Sequence, residues 1–96
     1  MPTSTGPLTF AASFPRDARF APTAGELAAK LAQTTGCAEG VALELRAAVT
    51  AAFEAAIAAD ESASIALSLC ADGPSFATEV TCGSQSYLRV THPRSA

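Results

Sequence analysis

Residues 41–57, VALELRAAVTAAFEAAI, read as one long amphipathic helix whose polar side has been reduced to alanine. Wound at about 100° per residue, Val41, Leu45, Val49, Phe53 and Ile57 form one broad apolar arc. Glu44, Ala47, Ala51, Ala55 and Ala58 line a separate strip. A helix with a single face of large residues must bury that face against something else. The flanking sequence supplies the candidates.

Upstream, Leu8, Phe10, Ala12 and Phe14 alternate with Thr9, Ala11 and Ser13, the period of a half-buried strand, and Pro15 stops it. Residues 16–22 read as a connecting loop. Thr23-Ala24-Gly25-Glu26 has the form of a capping box, in which the Thr hydroxyl and the Glu carboxylate satisfy each other's backbone amides. A first helix with Leu27 and Leu31 on one face follows, and Gly36 is its natural stop. The second helix is expected from about Ala38 to Ala59, ending at Asp60-Glu61. Downstream, Ile65, Leu67 and Leu69 alternate with Ala66, Ser68 and Cys70. The turn is centred on Asp72-Gly73-Pro74. Phe76, Thr78, Val80 and Cys82 then mark one face of a third strand, and Tyr87 to Thr91 forms a last one. The order β-α-α-β-β-β predicts an α+β two-layer sandwich, with two helices on one face of a four-stranded, mostly antiparallel sheet. Residues 1–96 form one domain, with residues 1–6 and 93–96 expected as flexible ends.

Hydrophobic residues make up 49% of the chain but aromatics only 6%, and alanine is the commonest residue. The core therefore leans on few large side chains, among them Phe10, Phe14, Phe20, Leu45, Phe53, Ile65, Leu67, Leu69, Phe76 and Val80. The net charge is −3, and the six basic residues are scattered rather than banded. That argues against nucleic acid, which needs a basic footprint. From Glu39 to Glu79 seven acids face Arg46 alone, an acidic and solvated surface. No basic start precedes an apolar run at the N-terminus, and Glu44, Arg46 and Glu54 interrupt the only long apolar stretch. No membrane association and a cytoplasmic location are expected. Cys37, Cys70 and Cys82 are not in CxxC spacing, and hairpin geometry holds Cys70 and Cys82 too far apart for a disulfide. Free, buried, reduced thiols are expected.

The segment SFPRDARFAPTAGELAAKLAQTTGCAEGVALELRAAVTAAFEAAI resembles the opening of small bacterial ATP-binding proteins of the histidine-kinase-type ATPase superfamily, the anti-sigma-factor serine kinases in particular. The shared pattern is a strand ending near Pro, a short Asp/Arg loop, a helix, a Gly turn and a long helix. In that family a Glu and an Asn four residues apart project from the long helix. The Asn holds the metal that bridges the ATP phosphates, and the Glu supports catalysis. Aligned on Val49-Thr50, those positions are Ala51 and Ala55; shifted by one, they are Ala52 and Ala56. Methyl groups supply neither oxygen for magnesium nor a proton acceptor. Where the family has Asp-x-Gly-x-Gly, this chain has Thr81-Cys82-Gly83-Ser84. Where it has a lid, only Gly83-Ser84-Gln85-Ser86 stands.

Other chemistry is equally sparse. His92, the only histidine, reads as a surface bystander, and one His without paired Cys does not make a zinc site. A Cys–His nucleophile pair would need Cys70 or Cys82 beside His92. Glu44 and Glu54 lie about 15 Å apart along the helix, too far for shared acid–base work. The resemblance, with its ATP-site residues missing, thus implies a non-enzymatic, protein-binding regulatory module that has lost its nucleotide site, without cofactor, metal or catalytic residues. Its partner, another protein or a second copy, would contact Glu44, Ala47, Ala51 and Ala55. The alternatives are a nucleotide or small-ligand binder completed by a partner, and an unrelated small α+β protein.

Overall fold

Alternation builds the centre of the sheet. In the structure, a computed structural model describing residues 8–59 and 64–94, Ile65, Leu67, Leu69 and Ala71 are the buried positions of strand β2 (Ile65–Asp72). Phe76, Thr78, Val80 and Cys82 are those of β3 (Ser75–Cys82). The two strands pair antiparallel with Leu67 opposite Val80 and Leu69 opposite Thr78, so both buried sets share one face. Strand β1 (Leu8–Phe14) pairs antiparallel with β2, and β4 (Gln85–Pro93) with β3. The order is β1-β2-β3-β4, an open antiparallel sheet with β1 and β4 at its edges.

Helices α1 (Ala21–Thr34) and α2 (Glu39–Ala58) connect β1 to β2 and cover one face. The expected two-layer α+β sandwich is the observed one. The apolar arc of α2 enters the core through Leu45, Val49 and Phe53, with Val41 and Ile57 at its margins. Phe53 meets Phe14 edge to face, ring centroids 5.6 Å apart, which ties α2 to the end of β1. Ala21, Ala24, Ala28 and Ala32 of α1 are fully buried. Their smallness lets the two helices cross closely. A Cβ placed on Gly25 would sit 2.3 Å from Thr50 Oγ1 and 2.7 Å from the Arg46 carbonyl oxygen.

Several expectations need correction. The segment read as a loop before α1 holds a 3-10 turn, Ala18–Phe20, begun by Asp17, whose carboxylate accepts from the Arg19 amide. That turn runs directly into α1 with Pro22 in the helix's first turn, so Thr23 lies inside the helix and caps nothing. The hairpin register is also one residue from that expected. Asp72 pairs with Ser75 across Gly73-Pro74, which sets Cys70 opposite Ala77 and Cys82 opposite Ile65. Gly73 and Gly83, each at positive φ, take the first central position of the two-residue β2–β3 and β3–β4 turns. Phe10, counted in the core, is 38% exposed on edge strand β1. The expected flexible residues 1–6, 95 and 96 lie outside the described residues, as do Asp60 and Glu61. Pro93 is the last residue of β4, and Arg94 is hydrogen-bonded.

Two arginines close the helix ends. Arg16, just past β1, donates through Nη2 to the carbonyls of Ala56 (3.1 Å), Ile57 (2.8 Å) and Ala59 at the C-terminus of α2. Arg94 donates through Nε to Thr35 O, the C-cap of α1, at 2.7 Å and through Nη1 to Gly73 O. Each cation meets carbonyls that a helix leaves without intrahelical donors, at the negative end of the dipole.

Candidate protein-contact face

α2 lies with one side on the sheet and another against α1, which leaves its third side to solvent. Glu44, Ala47, Ala51 and Ala55 are all exposed, together with Ala58, so the sequence-derived strip stands on the outside of the molecule. From Glu44 to Ala55 it runs about 17 Å, three turns of helix. The alternative register is closed: Ala52 is 6% exposed and Ala56 is fully buried. Of the two residue pairs, only Ala51 and Ala55 are open to solvent. Leu43, 58% exposed, and Glu54 border the strip.

His92 departs from the bystander reading. Register places it opposite Phe76 on the helix-bearing face of the sheet, with Nε2 3.6 Å from Glu44 Oε1 and its side chain 20% exposed. Its Nδ1 is buried and has no hydrogen-bond partner among the described residues. This contact joins β4 to the N-terminal half of α2 and puts the first strip residue at a helix–sheet junction. No local pattern signals this contact, because the pairing depends on how far β4 extends.

Neither Cys70 nor Cys82 approaches His92. Cys37 and Cys82 are buried as expected, but Cys70 is only half-buried, because it stands on the open face that no helix covers, where Thr9 Oγ1 lies 3.8 Å from its Sγ. Cys82 shares the face of His92 but is opposite Gln85, six residues along β3 from Phe76, about 20 Å at 3.3 Å per residue. All three cysteines are thiols. Burial pushes the Cys37 thiol pKa up, against a smaller opposing pull from Arg94. Glu44 and Glu54 stay apart on α2, and no cluster of His, Cys, Asp or Glu capable of holding a metal occurs among the described residues.

Two further concavities went unread in the sequence. One, about 300 Å³, lies between the outer sides of α1 and α2, lined by Glu26, Lys30, Gln33, Leu43 and Arg46. Arg46 Nη2 is 3.5 Å from Glu26 Oε2 there, so its charges are already matched in part. The other, about 260 Å³, is a shallow trough on the open sheet face over Ser68, Cys70, Ala77 and Glu79. The first forms where two consecutive helices pack, the second across three consecutive strands of the sheet. No helix of the described residues is long and apolar enough to cross a membrane. Compared with known proteins, the chain matches no family model, no curated protein and no solved structure.

Proposed function

We propose that this chain is a non-catalytic, cytoplasmic protein-binding module, related to the anti-sigma-type ATP-binding domains, that holds another protein where they hold nucleotide. One observation carries the reading: α2 presents Ala47, Ala51 and Ala55 in an unbroken exposed row, with Glu44 at one end and Glu54 alongside. Methyl groups on a rigid helix offer no grip on magnesium or phosphate. They do let another helix approach to about 8 Å between axes. The bordering carboxylates favour a partner helix whose small apolar stripe is edged by Lys or Arg. Exposed Leu43 adds one larger apolar contact at the same end of α2 as Glu44. The absence of a basic band argues against nucleic acid as the partner.

The test is affinity capture from the native cell lysate with the wild-type chain and with the Ala51→Glu/Ala55→Glu variant. The proposal expects a protein retained by the first and lost from the second, with both chains equally folded by circular dichroism. Equal retention by both variants removes the strip from the interface. A rise in melting temperature with millimolar ATP and Mg²⁺ would favour the ligand-binding alternative instead.

A further inference from the structure

The two edges of the sheet are built differently. β4 carries Arg89 and ends at Pro93, and its pairing with β3 shifts register between Val80 and Thr81. Charges, proline and bulges are the usual means by which an edge strand refuses further pairing. β1 has none of them. Its seven residues, LTFAASF, contain no charge, glycine or proline, and its pairing with β2 runs unshifted from Leu8 to Phe14. Thr9, Phe10, Ala11 and Ser13 are all exposed, Phe10 at 38% despite lying on the helix-bearing side opposite Leu69.

The strand is also complementary to itself. In an antiparallel pair of β1 strands related by a two-fold axis at Ala11, Phe10 stands opposite the partner's Ala12 and Thr9 opposite the partner's Ser13. The large ring meets a small side chain on the helix-bearing side, and hydroxyl meets hydroxyl on the open side. Ala11 meets its own copy without a clash. From these features we infer that β1 is the interface for a second copy of this chain, pairing edge to edge into one continuous eight-stranded sheet. Such a contact is isologous and closes at two. The backbone N–H and C=O groups of both edges are satisfied as in strand addition generally, and Phe10 leaves water. The interface uses none of the α2 strip, so the two surfaces are independent.

Sedimentation equilibrium of wild type and Ala11→Lys tests this. Ala11 is exposed on the open side, where lysine is compatible with a free edge but sets like charges opposite each other at the axis. The expected result is twice 9.7 kDa for wild type and 9.7 kDa for Ala11→Lys, with matching circular dichroism spectra. A second measurement does not depend on that variant's stability. In a Cys70→Ser background, Ala11→Cys should cross-link to dimer under mild oxidation. Residues directly opposite in antiparallel strands have Cα atoms about 4.5–5.5 Å apart, within disulfide reach. Ser13→Cys, facing Thr9 instead of itself, should not. A monomeric wild type overturns the inference. So does a dimer that survives Ala11→Lys and dissociates on Ala51→Glu/Ala55→Glu, or a cross-link formed by Ser13→Cys and not by Ala11→Cys.

Discussion

Among the described residues Thr78 is the one buried polar residue of the core, 1% exposed, and its Oγ1 has no hydrogen-bond partner there. A hydroxyl held away from water without a partner costs free energy that an isosteric methyl does not. Thr78→Val should therefore stabilise the fold by about 1 kcal/mol, read as a higher midpoint in urea. Asp17 makes the opposite case at the surface. The Arg19 side chain and backbone amide both donate to its carboxylate, and its pKa falls from the ordinary 3.8 to about 2. A lowered folded-state pKa means that the interaction is fully present above about pH 3.8 and is lost as the pH falls through about 2. An NMR titration should place the Asp17 carboxyl near 2, and Arg19→Ala should return it toward 3.8. At the cysteines, an exposed-thiol reagent at neutral pH should label half-buried Cys70 before Cys37, whose burial both shields the sulfur and disfavours the thiolate.

Among the elements, the α1–α2 crossing and the arginine-closed helix ends bear most on stability. Gly25→Ala raises helix propensity by about 1 kcal/mol but forces a methyl into Thr50 Oγ1 and the Arg46 carbonyl. The backbone carbonyl cannot yield as a side chain would. Net destabilisation of about 1–3 kcal/mol is expected from chemical denaturation. Arg16→Ala strips the donor from three carbonyls at the end of α2 and should cost about 1–3 kcal/mol by the same measurement. Local periodicity made much of this level legible. The alternation in β2 and β3 specifies which side chains are buried, and the wheel of residues 41–57 finds Leu45, Val49 and Phe53 but not buried Ala42, Ala52 and Ala56. What depends on tertiary packing was not legible. Arg16 and Arg94 look like loop and tail charges until folding brings them to carbonyls 21 to 59 residues away. The Thr23 box lost to a chain path in which Asp17 starts the turn and Pro22 already sits in the helix.

At the scale of the whole molecule, the outward surfaces of the helix-bearing sheet include the α2 strip, the β1 edge and the open sheet face. The strip was readable in the sequence because helical geometry alone separates Ala51 and Ala55 from Ala52 and Ala56. The edge was not, since β1 reads like any half-buried strand until the strand order puts it outermost and leaves Phe10 uncovered. On this account the strip meets a different protein and the edge meets a second copy, so one assembly can use both. The claim that α2 holds a protein is tested most directly by a photo-reactive side chain placed at Ala51 and irradiated in the native cell, with the same group at exposed Ala58 and Ser84 for comparison. The account predicts one discrete heavier adduct from the Ala51 position, shared by Ala58 to a lesser degree and absent from Ser84 on the β3–β4 turn. No adduct from Ala51, or the same adducts from all three positions, would contradict it.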